Sequence, residues 1–342
     1  MKRFNQGNIL LLWLIISPIT LAAANGNMQF SDKAIATIEI NHDSLFPEGI
    51  SFNPLTNRFV VGSFRQGAIF EVDHQGNTYK VIDDPRLHSV FAVRIDLERN
   101  RLLALTSDLG ASVNSNNTAI KRYAALAIYD LTSGNPRAFI DLSQLVPDSE
   151  HLVNGMTLDA QGNAYITDSF AAAIYKVDIS GKASLFLQSD EFIGEGINLN
   201  GIVYHPHGYL LAVKKSNGVL YKIPLQQPKE FSAVTADKHF LAADGLILTN
   251  NNQLIIIANR ILGHPSDSAF WVSSNDDWQS MNTHSQHGFG DVYPTTGIVL
   301  DGKIYVVYSK LNTLVAAPPA EKSQLRQKAK IAQIGDLAAA AE

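Results

Sequence analysis

Along most of the chain, short runs of alternating apolar and polar residues are interrupted by Asn, Asp, Gly and Pro. Period-two alternation predicts half-buried strands, and Asn-Pro, Gln-Gly-Asn, Pro-His-Gly and Asp-Gly between such runs are tight-turn chemistry. Six segments share one shape: a small or polar residue, usually Gly, two or three alternating apolar residues, a turn, then a strongly apolar strand. They are PEGISFNPLTNRFVVGS (47–63), VFAVRIDLERNRLLALTS (90–107), VNGMTLDAQGNAYITDS (153–169), LNGIVYHPHGYLLAVKK (199–215), ADGLILTNNNQLIIIAN (243–259) and TTGIVLDGKIYVVYS (295–309). Three of them continue into a third strand: GAIFEVD (67–73), AAIYKVD (172–178) and GVLYKIP (218–224).

Alignment of the segments puts Glu48, Phe91, Asn154, Asn200, Asp244 and Thr296 at one equivalent position, at intervals of 43, 63, 46, 44 and 52 residues. A four-stranded unit recurring about every 40 to 50 residues is a propeller blade, so the chain is expected to be all-β, a six-bladed β-propeller. A β-sandwich fits six matched units poorly. Two stretches read as insertions: the Asn- and Ser-rich run 108–122, and 263–293 with its two Trp and three His. The alternating run 34–40 precedes the first blade and is available to close the last one, removing an open sheet edge. The stretch 321–332 reads as a helix-like, polar, peripheral tail. One propeller domain over 25–342 with a polar C-terminal tail is the expected organisation.

The N-terminus has a different pattern. Lys2 and Arg3 precede an apolar run from Ile9 to Ala22, followed by Ala23, Ala24, Asn25 and Gly26. That is the layout of a secretory signal peptide over 1–24, with an uncleaved anchor as the alternative. The run is short for a bilayer span and is broken by Ser17, Pro18 and Thr20. The expectation is a periplasmic or secreted mature chain with no stable membrane insertion. Losing Lys2 and Arg3 would move the net charge from −5 to −7. Only 17% of residues are charged and no basic stripe occurs, so nucleic acid is not an expected partner. With no cysteine, disulfides, thiolate metal sites and a cysteine nucleophile are excluded.

In a propeller the innermost strands line the central channel, so equivalent residues form a ring. Here the ring holds the carboxylates of Glu48 and Asp244 and the amides of Asn154 and Asn200. Hard oxygen donors with two negative charges suit a divalent cation: Ca²⁺ first, with Zn²⁺, Mn²⁺ or Mg²⁺ as alternatives. A single Asn-Gly or Asp-Gly is usually a turn cap, but four oxygen-bearing residues at the same point of four repeats favour the metal. His88 and His151 lie three residues before Phe91 and Asn154, which puts both on loops at this face as proton relays or as solvated loop residues. His205 and His207 flank Pro206 in a turn and belong to the opposite face. Arg65, Lys214 and Lys215 end second strands and read as solvated rim charges or as partners of substrate oxygens. Gly-x-Ser-x-Gly, Walker, dinucleotide-binding and HExxH motifs are absent.

Pro47-Glu48-Gly49, Val153-Asn154-Gly155, Leu199-Asn200-Gly201 and Ala243-Asp244-Gly245 resemble the metal-binding signature of the gluconolactonase family, to which regucalcin belongs and the paraoxonases are related. Thr167-Asp168-Ser169 also looks like that family, whereas Pro-Glu-Gly lacks its usual following Pro-x-Trp, and Phe91 stands where a polar group could sit. The resemblance implies that Glu48, Asn200 and Asp244 hold one cation at the top of the propeller, with Asn154 on a water, on the substrate or on the metal. It also implies hydrolysis of a small-molecule lactone or ester, with Asp244 as ligand and base. Asn154 would orient water or substrate, and His151 is a candidate relay. Two other readings stay open: a non-catalytic exported propeller that binds a ligand or protein, with structural calcium, and a strictosidine-synthase-like enzyme of the same superfamily without metal. The second of these predicts that the Glu, Asn and Asp set is missing, and the set is present.

Overall fold

The computed structural model describes residues 28–31, 35–259 and 267–337. The expected signal peptide therefore lies outside the described residues. Six sheets follow one another in the chain, antiparallel except where the two-residue strand Thr235–Ala236 pairs parallel to Ser280–Gly288. Each blade runs outward from an inner strand: Pro47–Asn53, Ser89–Asp96, Val153–Leu158, Leu199–His205, Ala243–Leu248 and Pro294–Leu300. Neighbouring inner strands touch all the way round, including the last against the first, so the sheets close into a six-bladed propeller. Between each pair of adjacent blades lies an apolar cluster built from both. The second strands supply the most apolar runs, such as Ile255, Ile256 and Ile257, because both of their faces are covered.

Blade six is completed by both ends of the chain. Lys330–Asp336 pairs with Lys303–Tyr308, and Ala36–Glu39 from the N-terminal side pairs with Lys330–Asp336. The closing role expected for 34–40 holds over Ala36–Glu39. The tail is not peripheral: only Pro319–Lys322 is helical there, and Ile331, Ala332 and Ile334 are fully buried. Its alternation of Ala, Gln and Gly among apolar residues hid a strand inside a polar composition. The second expected insertion is also regular, since Ser268–Ser273 and Ser280–Gly288 are the outer strands of blade five. The Asn- and Ser-rich run is a loop, as expected, and leads into Ala124–Asp130.

Every inner strand carries an irregularity at its start. Register is lost between Pro47 and Ile50, Val90 and Ala92, Val153 and Met156, Leu199 and Ile202, Ala243 and Leu246, and Pro294 and Thr296. A bulge adds one residue and re-aims its side chain. In blade six the extra residue is Thr295, so Thr295 and not Thr296 is the equivalent of Glu48. Gly49, Gly155, Gly201 and Gly245 follow the bulged residues, and a Cβ at each would strike the next blade's inner strand. Phe46, Ala242 and Tyr293, two residues before Glu48, Asp244 and Thr295, have φ of 46°, 62° and 57°. Non-glycine residues in that region cost about 1–3 kcal/mol each and cluster at functional sites.

Candidate active site

The bulges bring Glu48, Asn154, Asn200 and Asp244 together, all buried, as the floor of a cavity of about 480 Å³ at one end of the channel. Its walls are mostly apolar: Phe64, Phe91, Leu109, Ile197, Tyr293 and, on the short helix Leu311–Ala316, Leu311, Val315 and Ala316. The polar exceptions are Lys215 and Asn312, whose Oδ1 is buried with no hydrogen-bond partner among the described residues. Phe91, the apparent departure in blade two, is one such wall, packed edge-on to Phe64 at 4.9 Å. The same four polar residues line a smaller void beneath, and Arg94 lines both that void and a cavity of about 890 Å³ opening at the far end. His205 and His207 border that far cavity, on the opposite face as expected.

Burial pushes the Glu48 carboxyl well above its usual range and the nearby Asp244 charge adds to this, while Lys215 and Arg94 pull it back. Burial lowers the Arg94 guanidinium, and Glu48 opposes that shift. The Tyr293 hydroxyl is raised by burial and then by the Asp244 and Glu48 charges. Asp244 is held on one oxygen: Lys215 Nζ donates to Oδ2 at 2.7 Å, and Asn259 Nδ2 donates to the same oxygen. Lys215 also donates to Asn259 Oδ1 at 2.7 Å. Lys214 is buried as well and donates to the carbonyls of Glu191 and Ile193. Neither lysine is a solvated rim charge: both are buried, Lys214 against the carbonyls it donates to and Lys215 against Asp244 and Asn259. Arg65 donates to the Ala111 carbonyl at 2.8 Å.

The donor set fits a hard cation. Two carboxylates and two amides face one buried space, and Asn200 Nδ2 is buried with no hydrogen-bond partner among the described residues. Turning that amide over would present its oxygen instead. Thr295 completes the ring but spends its hydroxyl on the Glu48 carbonyl at 2.7 Å.

The two histidines are not brought to this floor. His151 Nδ1 lies 2.8 Å from Asp168 Oδ2, His88 Nδ1 lies 2.7 Å from Asp108 Oδ2, and both rings are buried outside the cavity lining. Their loops fold down into the blades because each aspartate also captures backbone amides: Leu152, Phe170 and Ala171 for Asp168, Gly110 for Asp108. The sequence reading missed Asn259, Tyr293 and the helical wall. Asn259 sits one residue past a second strand, as Lys215 does, and that shared position was the one signal that pointed to it.

No protein-family model and no curated protein matches the chain. Among solved structures, it is similar to the allergen Mala s 1 of Malassezia sympodialis (TM-score 0.65, 15% identity, 88% of this chain and 96% of that one). It is similar also to a calcium-binding protein, regucalcin, of Agrobacterium tumefaciens (TM-score 0.60, 13% identity, 91% and 96%). A luciferin-regenerating enzyme superposes with a TM-score of 0.58 at 11% identity, over 89% and 98%. At such identities the likeness is one of fold: this chain has the six-bladed propeller that regucalcin and luciferin-regenerating enzyme have.

Proposed function

We propose that the chain is an exported, divalent-cation-dependent hydrolase of lactones or related esters that have an apolar body. The observation that carries this reading is a floor of four oxygen-bearing side chains beneath a cavity with apolar walls. Glu48, Asn154, Asn200 and the second oxygen of Asp244 would hold the cation. When bound, a divalent cation supplies Lewis acidity toward a carbonyl oxygen and lowers the pKa of water. The protein's own groups do the rest. Phe64, Phe91, Ile197 and Leu311 take the apolar body and exclude water, which strengthens every polar contact on the floor. Asn154, whose Nδ2 donates to Ser169 Oγ at 3.3 Å, turns its other end to the site and orients water or substrate. Water oxygen bonds to the carbonyl carbon and the acyl C–O bond breaks. The proton that Asp244 takes from water passes to the departing alkoxide. One water is consumed, and an acid and an alcohol are formed.

One observation bears on the second reading, a binding module that takes a ligand or protein without catalysis, and it counts against the calcium in that reading as well. Lys215 pairs with Asp244 and Arg94 acts on Glu48, so two protein cations stand against the two carboxylates. Metal analysis of the purified protein, followed by aliphatic lactones, sugar lactones and aryl esters with calcium, zinc and manganese, decides between them. Metal-dependent turnover that Asp244→Ala abolishes supports the hydrolase. Metal content unchanged in Glu48→Gln/Asp244→Asn places the cation elsewhere, and no turnover by metal-replete protein leaves the binding module. Export is tested by N-terminal sequencing, with a start near Asn25 expected.

A further inference from the structure

The residue just after the second strand has one structural task in three of the blades. Ser169, Asn259 and Ser309 each donate to a backbone carbonyl of the next blade's inner strand: Leu199 at 2.5 Å, Pro294 at 3.0 Å and Pro47 at 2.9 Å. A hydroxyl or an amide is enough for this stitching. Blade four has Lys215 at that position, and its ammonium reaches past the backbone to the Asp244 carboxylate and the Asn259 amide. A fully buried lysine is costly unless paired and is not needed for the stitch. Its third N–H has no partner among the described residues, and Lys215 lines the apolar cavity. The Tyr293 ring, on the cavity wall, has its centre 5.9 Å from Nζ.

We propose that Lys215 is a ligand-contacting residue whose free N–H receives the carbonyl oxygen of an acyl compound in the cavity and, after hydrolysis, the carboxylate of the acid. This rests on the reading of the cavity as an acyl site given above. The ligand class is an amphipathic carboxylate or its ester, with an aliphatic tail against Phe64, Phe91, Ile197 and Leu311. Apolar walls lower the local dielectric, so a charge-assisted hydrogen bond to Lys215 counts for more there than in water. Asp244 and Asn259 hold the ammonium in place, which removes much of the entropy cost of fixing a long side chain.

The test is calorimetric titration of octanoate, and of 1-octanol as the same tail without the charge, into EDTA-treated protein, so that no added metal contributes. Wild type should bind octanoate more tightly than 1-octanol. Lys215→Met should weaken octanoate binding about tenfold or more and leave 1-octanol unchanged, while Lys215→Arg stays near wild type. Should Lys215→Met fail to fold because Asp244 is left unpaired, Lys215→Met/Asp244→Asn removes the orphaned charge and should show the same loss. Octanoate affinity in the folded variant equal to that of wild type, or no octanoate binding by wild type, overturns the proposal. Lysine-dependent octanoate binding without lactone turnover would remove the hydrolase reading alone. Turnover with octanoate affinity unchanged in Lys215→Met would remove this proposal alone.

Discussion

The Asp168 carboxylate accepts from three backbone amides and from the Tyr175 hydroxyl at 3.0 Å, and lies 2.8 Å from the His151 ring. His151 is one strut of this knot, which fixes the loop that leads into Asn154. Truncating it to Ala should cost about 1–3 kcal/mol of stability, the range for a lost buried hydrogen bond, read as a shifted urea midpoint. Turnover should stay within about threefold of wild type; a loss of about a hundredfold at unchanged stability would mean proton transfer instead. His205, at the far cavity, makes a pH prediction. Burial lowers its pKa and the close His207 and Lys222 add to that, while Asn252 and Asp277 oppose. The unfolded chain therefore binds a proton near the ordinary value of 6.5 that the folded protein does not bind until lower pH. Its contribution is intact above that value and is lost as pH falls through the folded value. Urea midpoints from pH 7.5 to 5 should fall less steeply in His205→Gln than in wild type.

The bulge is the element that makes the site. An unbulged strand would alternate its side chains evenly, whereas one extra residue at each strand start lets Glu48, Asn154, Asn200 and Asp244 converge. The following glycine permits the close packing of inner strands that convergence requires. A Cβ on Gly201 would lie 2.9 Å from the Leu246 amide nitrogen and against the Asp244 carbonyl. Gly201→Ala should cost about 1–3 kcal/mol and weaken cation binding, because it pushes blades four and five apart beneath two site residues. Gly288 is the control, since a Cβ there would meet nothing within 4 Å. Gly288→Ala should stay within about 0.5 kcal/mol in chemical denaturation.

At the scale of the whole molecule, the candidate ligands come from blades one, three, four and five, so their geometry depends on ring closure. Closure is completed by Ala36–Glu39 on Lys330–Asp336, and Ser309 and Thr295 stitch blade six to Pro47 and Glu48. A cation held by four blades, as proposed, would bind only the closed ring. At a hundred times its Kd it should add about 2.7 kcal/mol and raise the Tm in a scanning melt. Glu48→Gln/Asp244→Asn should abolish the rise, and a rise that survives in that variant would put the cation at another site.

Repeats, turn chemistry and period-two alternation determined the fold class and the equivalence of Glu48, Asn154, Asn200 and Asp244, because each blade is a local unit that repeats the same pattern. Short-range patterning says nothing of where a loop folds back. Tertiary structure alone decided that His88 and His151 turn into the blades and that Thr295 replaces Thr296 by one step of a bulge. It likewise decided that Lys330–Asp336 is a buried strand under a polar composition. Lys215 shows the reason most plainly: its partners Asp244 and Asn259 lie 29 and 44 residues away, and only the packing of blade four on blade five makes them neighbours.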